Sequence, residues 1–147
     1  MSVAMVQPEG WAAPKGYSNG VIAEGRMLFV AGQVGWDAQA RMVEGNLVAQ
    51  FDQALSNVLE VVRTAGGVPD SLVRLTLYVV DRKDYAAKSI EIGRAYRARV
   101  GKHFPAMTLV EVRSLLEDTA LVELEAIACL PMAIALTNAS RVDEKDR

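Results

Sequence analysis

The stretch LVRLTLYVV, residues 72–80, decides the fold that the sequence predicts. It is rich in β-branched residues and alternates in the manner typical of a β-strand. Nearly every position on both of its faces is apolar, so we expect a sheet that is covered on both sides rather than one with a solvated face. Helices of the same chain can supply one cover. Further copies of the chain are the simplest second cover, because closed symmetric oligomers are the usual outcome.

Periodicity and turn residues place the other elements around this strand. The tight turn Glu24-Gly25-Arg26 joins two short apolar stretches and predicts a β-hairpin. Two amphipathic segments predict helices, the first stopped by Gly66-Gly67 and the second capped by Asp81 or Asp84. The predicted elements are strands 21–23 and 27–34, helix 47–65, strand 72–80, a helix from 81 or 84 to about 100, and strands 107–112 and 120–130.

This order, ββαβαββ, predicts an α+β sandwich in which a β-sheet carries two helices on one face. That the sheet is mixed is implied only by the family resemblance described below. No repeat or linker divides the chain, so we expect one domain over residues 1–131. Residues 132–147, which end in a charged run, are predicted to be a partly mobile C-terminal extension.

Composition excludes several classes of protein. The net charge of −2 gives no general attraction to nucleic acid or to anionic membranes. The single cysteine, Cys129, excludes an internal disulfide and a cysteine-based metal cluster. No apolar run approaches the roughly 18 residues that cross a bilayer, and residues 1–7 are too short for a secretion leader. We therefore expect a cytoplasmic protein with no nucleic-acid or membrane partner.

The strongest polar feature is a pair of carboxylates, Glu123 and Glu125, in the apolar segment ALVELEAIACL. Strand alternation places both on one face, opposite Val122, Leu124 and the alanines. Either carboxylate could lie in a cleft with a raised pKa and activate water. The alternative is a solvated strand end or an ion pair with Arg74 or Arg113.

Other polar residues point to structure rather than to chemistry. His103, the only histidine, follows a predicted helix, where an imidazolium favourably caps the helix dipole, and a role as catalytic base is the second interpretation. With one histidine and one cysteine, none of the common metal-ligand spacings exists. Cys129 is interpreted as a small core residue.

Four segments, in order, resemble the reactive-intermediate deaminase family (Rid, YjgF-like). They are GYSNGV at 16–21, FVAGQVGWD at 29–37, FPAMTLVEV at 104–112 and ALVELEAIA at 120–128. The resemblance implies a chorismate-mutase-like (AroH-type) fold assembled as a homotrimer, with small-molecule clefts between subunits. It also implies hydrolysis of 2-imino and 2-enamino acids to 2-oxo acids and ammonia, with no metal or organic cofactor.

The resemblance also implies roles for individual residues. The family's tyrosine falls on Tyr17 and its water-positioning glutamate on Glu123, while Gly32 and Gln33 match the second-strand motif. Three positions depart from the pattern. Met107 replaces the arginine that pairs with the substrate carboxylate, Ala31 replaces a serine, and Leu109 replaces a cysteine.

The substitution at Met107 has a direct physical consequence. A guanidinium offers a planar bidentate partner to a carboxylate, whereas a thioether offers polarisable apolar surface and no donor. Arg113 lies six residues along the strand, roughly 20 Å away, and cannot replace the missing group. The remaining alternative is that Arg94 or Arg97 of the second predicted helix approaches from a neighbouring copy.

Two hypotheses follow from these residues. In the first, the chain is a trimeric Rid-like protein of a branch without the arginine, and it hydrolyses an imine, an enamine or a related metabolite. Glu123 then orients water and the Tyr17 hydroxyl holds the substrate, in a cleft lined by Met107, Leu109 and residues 31–33. In the second hypothesis the trimer binds or senses a metabolite without catalysis, and Glu123 is structural.

Overall fold

The structure, a computed structural model, describes residues 2–132, so the predicted extension falls almost wholly outside the described residues. Its elements are β1 (Ser2–Val6), β2 (Gly20–Glu24), β3 (Arg26–Val34), α1 (Leu47–Thr64), a 3₁₀ turn (Pro69–Ser71), β4 (Leu72–Val79), α2 (Arg82–Ala87), α3 (Ser89–Val100), β5 (Ala106–Glu111) and β6 (Val122–Leu130). No helix within residues 2–132 is long and apolar enough to span a membrane.

The main sheet has four strands in the order β3-β6-β4-β5. The β4–β5 pair is parallel and the other two pairs are antiparallel, so the sheet is mixed, as the family resemblance implies. Helices α1 and α3 cover one face, and the core between them is apolar: Phe51, Leu55 and Val58 of α1 are at most 2% exposed. The α+β class is therefore confirmed.

The expectation that β4 is apolar on both faces is wrong. Leu75, Leu77 and Val79 point into the helical core, but the opposite face of the strand carries Arg74 and Tyr78. A register shift at the start of β4 buries both Leu72 and Val73, which would face opposite sides of the sheet in a regular strand. Two adjacent apolar residues at this point therefore do not indicate two apolar faces. The second face of the sheet is therefore mixed rather than apolar.

The predicted hairpin between β2 and β3 is also wrong. Only Gly25 separates the two strands, which is too short for even a two-residue hairpin loop. Gly25 has φ 153°, and a Cβ there would overlap the backbone of Leu130. The chain consequently bends between the strands: β3 pairs with β6, and β2 pairs with the unpredicted strand β1 in a separate two-stranded sheet.

The second predicted helix is two helices, which makes three in place of the expected two. Asp81 caps α2 as predicted, because its side chain accepts from the amides of Lys83 and Asp84. Lys88, at φ −103° and ψ 14°, lies outside the helical region and separates α2 from α3. Since neither glycine nor proline marks this break, the sequence pattern does not reveal it.

An ion pair fixes α3 against α1. The Arg99 guanidinium donates to both carboxylate oxygens of Asp52, over 2.6 and 2.8 Å. This hydrogen bonding from Arg99 holds the pKa of the Asp52 carboxyl below its ordinary value. Both side chains are partly exposed, so solvent screens the pair and its contribution to stability is modest.

We expect Asp52→Asn to lower the free energy of unfolding by less than about 1 kcal/mol at pH 7, measured by urea denaturation. Because the folded-state pKa of Asp52 is depressed, the contribution exists above the unfolded pKa and disappears as the pH falls through the folded pKa. The difference between variant and wild type should therefore be smaller in acid than at pH 7 and be absent below the folded pKa. Asp118→Asn, in an exposed loop, is the control, and an equal cost at both pH values would contradict the assignment.

Candidate functional site

Strict alternation along β6 positions the two glutamates. Val122, Leu124, Ala126 and Ala128 are buried against the helices, while Glu123 and Glu125 lie half-buried on the opposite face. The faces are those that the sequence predicts. Cys129 is a free, buried cysteine, which agrees with its interpretation as a core residue.

The Glu123 carboxylate lies directly over Gly32. The β3–β6 register shifts between Val30 and Gln33, so Ala31 and Gly32 form an irregular step opposite β6. A Cβ built on Gly32 would approach the Glu123 carboxyl carbon to 2.8 Å. Glycine at position 32 is therefore what allows the carboxylate to occupy this place. The exposed Ala31 completes the step, and the Gln33 amide folds back onto the Ala31 carbonyl at 3.1 Å.

Glu125, in contrast, is occupied by a hydrogen bond. The Tyr78 hydroxyl donates to its Oε1 over 2.5 Å. This bond, followed by burial and by the charges of Glu125 and Glu123, raises the pKa of the Tyr78 hydroxyl, which remains protonated and able to donate. Two adjacent carboxylates are thus differentiated: Glu125 has a neutral hydroxyl donor, whereas Glu123 makes no side-chain hydrogen bond within residues 2–132.

The alternative interpretation is an ion pair between one of the glutamates and Arg74 or Arg113. The structure contains no such pair within residues 2–132. Arg74 lies on the same face as the two glutamates but donates to the Thr108 hydroxyl at 3.0 Å. None of the four ion pairs formed within this range involves Glu123, Glu125, Arg74 or Arg113. Glu123 is therefore a partly exposed carboxylate that pairs with no cation from residues 2–132.

Tyr17 lies beside the outer edge of β5. The periodicity of the sequence does not predict this contact between the N-terminal loop and β5. Its neighbour Ser18 forms an isolated parallel bridge to Ala106 and donates from its amide to the Pro105 carbonyl at 3.0 Å. The Ser18 hydroxyl also bonds to the Phe104 carbonyl at 2.5 Å. These bonds hold Tyr17, whose side chain is 41% exposed, next to the strand that carries Met107.

Met107 projects to the helical side of the sheet. It pairs in register with Leu75, packs against the core and lines a cavity of about 330 Å³ between α3 and β5. Leu109 follows with the same strand parity and is 36% exposed. Glu123 lies on the other face, and β4 separates its strand from that of Met107. One chain therefore brings Glu123 together with Gly32 but does not bring Met107 or Tyr17 to them.

His103 does not cap α3. Its ring Nε2 bonds to the Leu72 carbonyl at the start of β4, 2.6 Å away, and Gly101 ends the helix. The interpretation as a cap is therefore wrong in its partner, although the residue does have a structural bond. Within residues 2–132, no group of three or more histidine, cysteine, aspartate or glutamate residues could hold a metal ion.

Comparisons with known proteins agree with this architecture. The family model described as Endoribonuclease L-PSP matches residues 9–130. A RutC family protein of Synechocystis is 34% identical over 133 residues, covering 89% of this chain and 99% of that protein. The 2-iminobutanoate/2-iminopropanoate deaminase of Escherichia coli K12 is 34% identical over 107 residues, covering 71% of this chain and 80% of that protein.

Solved structures give the same result. A Yersinia pestis protein of the conserved Rid family, of unknown function, superposes with a TM-score of 0.79 at 36% identity, covering 88% of this chain and all of that one. The Escherichia coli YjgF gene product superposes with a TM-score of 0.62 at 33% identity, over 80% and 91% of the two chains. The fold and the matched segments define a Rid-type α+β domain. The chain belongs to the Rid/YjgF family, as its sequence motifs indicate.

The Gly32–Glu123 contact can be tested by a pair of glycine substitutions. We expect Gly32→Ala to displace the flexible Glu123 carboxylate at a cost in unfolding free energy below about 1 kcal/mol. Gly35→Ala should cost more than about 2 kcal/mol, because its Cβ would meet the backbone of Gln50 at 2.7 Å. Urea denaturation measures the cost of both substitutions, and a crystal structure of Gly32→Ala measures the displacement of Glu123. An unmoved Glu123 would contradict the contact.

Proposed function

We propose that the chain is a hydrolytic deaminase of imine or enamine metabolites. The observation that carries this proposal is the Glu123 carboxylate, which lies over Gly32 and pairs with no cation of the described residues 2–132. A free carboxylate can accept a proton from water, whereas an ion-paired one is a weaker base. The name of the similar Escherichia coli deaminase supports the reaction class. The family description names an endoribonuclease, but a net charge of −2 gives little attraction for RNA phosphates.

In the proposed reaction, Glu123 orients a water molecule and accepts one of its protons as the oxygen attacks the carbon of the protonated C=N group, which gives a neutral carbinolamine. Glu123 returns this proton to the amino nitrogen and then accepts the hydroxyl proton as the C–N bond breaks. Ammonia leaves, the 2-oxo acid remains, and Glu123 releases its proton to ammonia or to solvent. The Tyr17 hydroxyl holds the substrate by a hydrogen bond. General acid–base catalysis of this kind contributes about 10²–10⁴ to a rate.

The proposed cleft lies between copies of the chain in a homotrimer. Because Glu123 and Met107 face opposite sides of one sheet, a cleft lined by Met107, Leu109 and residues 31–33 takes residues from two copies. The face that carries Glu123 also presents exposed apolar side chains, with Phe29 74% and Met27 47% exposed. Burial of these side chains would favour assembly.

The activity can be tested with 2-iminobutyrate and 2-iminopropionate generated in situ by an amino-acid oxidase. We expect Glu123→Gln to lower kcat/KM at least about 100-fold, and Gly32→Ala to lower it similarly by displacing the carboxylate. Met107→Arg should raise kcat/KM on these small substrates about tenfold or more by adding a cation for their carboxylate. Release of the 2-oxo acid is the measurement.

The same assay separates catalysis from the second hypothesis. Acceleration by the wild type or by Met107→Arg that disappears in Met107→Arg/Glu123→Gln supports the hydrolase. If neither protein accelerates hydrolysis while ligand-observed NMR detects binding of 2-oxobutyrate, the chain is a non-catalytic metabolite-binding protein and the hydrolase proposal fails.

Assembly is tested by light scattering at micromolar concentration. We expect a mass three times the 15.9 kDa of one chain. Phe29→Glu should yield monomers, because it places a charge in the proposed interface without entering the core of the chain. Leu116→Glu, on a loop residue that is 94% exposed, should remain trimeric. A monomeric wild type would contradict both the trimer and the cleft between copies.

A further inference from the structure

We propose that Arg97 of α3 replaces the missing arginine at position 107, and that the site at Met107 binds carboxylates with a bulky aryl or branched-alkyl group. This inference deepens the proposed function. It rests on that function only for the statement that the bound carboxylate is a substrate of the enzyme. The affinity of the site for a carboxylate does not depend on turnover.

The cavity beside Met107 is built for an apolar body. Its volume of about 330 Å³ is at the lower end of small-molecule sites, which occupy roughly 300–1,000 Å³. Tyr96 and Phe104 form one wall, with stacked rings whose centroids are 5.6 Å apart. The Tyr96 hydroxyl donates to the His103 carbonyl at 2.6 Å, which fixes the orientation of that ring. Methionine adds a polarisable surface that packs well against aromatic ligands.

The charges of the cavity are of one sign. Arg97 and Lys15 line it, and no aspartate or glutamate does so. The other arginine at the end of α3, Arg99, is paired with Asp52, whereas Arg97 makes no ion pair within residues 2–132. Two cations without a carboxylate on an apolar cavity match a ligand with one anionic end.

The Arg97 guanidinium lies against Gly93, one turn earlier on α3. The three heavy atoms nearest to a Cβ at position 93 all belong to Arg97, with Nη1 at 3.4 Å and Nη2 at 3.8 Å, which is ordinary van der Waals contact. The Arg97 side chain therefore folds back by one turn, and both residues line the cavity. Alanine would fit at position 93 without displacing the cation, whereas a longer side chain would extend into the cavity.

The substrate class follows from these contacts. A small 2-imino acid would leave the aromatic wall uncovered, whereas a longer one places its side chain on Tyr96, Phe104 and Met107 and its carboxylate near Arg97. The site fits 2-imino acids derived from large hydrophobic amino acids.

Isothermal titration with stable ligands tests the binding. We expect the wild type to bind 3-phenylpropionate at least about fivefold more tightly than propionate or the neutral 3-phenylpropanamide. Arg97→Gln should weaken binding of the acid at least about fivefold and leave binding of the amide unchanged. Arg94→Gln, an exposed arginine of the same helix that does not line the cavity, is the matched control and should bind like the wild type.

A second variant distinguishes the contribution of the apolar cavity from that of the Arg97 charge. Gly93→Leu should abolish binding of both acid and amide, because the new side chain would extend into the cavity that residue 93 lines, while circular dichroism shows an intact fold. Equal affinities in Arg97→Gln and Arg94→Gln, or retained binding in Gly93→Leu, would overturn the inference.

Turnover of the imine of phenylalanine distinguishes this inference from the proposed function. We expect Arg97→Gln to raise KM at least about fivefold with little change in kcat, whereas Glu123→Gln lowers kcat. Binding that depends on Arg97 without any turnover would sink the hydrolase and leave the binding site. Turnover that depends on Glu123 but not on Arg97 would contradict the role of Arg97 and leave the hydrolase proposal in place.

Discussion

The antiparallel register of β6 between β3 and β4 is the constraint on which the rest of the structure depends. It pairs Glu123 with Tyr78 on one side and with Val34 on the other, beside the irregular step at residues 31–32. A slip by one residue would turn both glutamates into the helical core and expose the leucine and alanines that form it. The burial of the even-numbered residues of β6 therefore fixes the position of the carboxylate, although Glu123 itself contributes little to the core.

One glycine uses the space that this framework leaves. Gly32 allows the Glu123 carboxylate to lie on β3, because a Cβ at this position would overlap the carboxylate. The absence of one methyl group lets this charged side chain lie against the backbone instead of extending into solvent. Glycine weakens a strand, so β3 gives up local stability where the charge is placed. Gly93 differs, since a Cβ there would stand in ordinary van der Waals contact with the Arg97 guanidinium.

The alternation of β6 and the α1 helix could be predicted from the sequence because each has a clear apolar period over eight or more residues. The pairing of β2 could not, since one residue at Gly25 decides it and the partner β1 is separated from β2 by 13 residues and has no apolar alternation of its own. The break at Lys88 has no glycine or proline to mark it. For the site, motif resemblance points to Glu123 and Gly32, but the hydrogen bond of Tyr78 and the place of Arg97 beside Met107 follow only from register and from helix packing, which one sequence does not display.

Glu123 and Met107 face opposite sides of the sheet, so the proposed cleft cannot form within one chain. The full thickness of the backbone and β4 separate the two residues, so a small ligand at one does not reach the other in the same copy. A site that uses both must form where two copies meet, so that one copy supplies Glu123 and the other supplies the cavity beside Met107. In that arrangement, assembly is a condition for catalysis rather than only a source of stability. Under the same proposal, the copy that provides this cavity also provides a cation, because Arg97 of α3 lines it together with Met107.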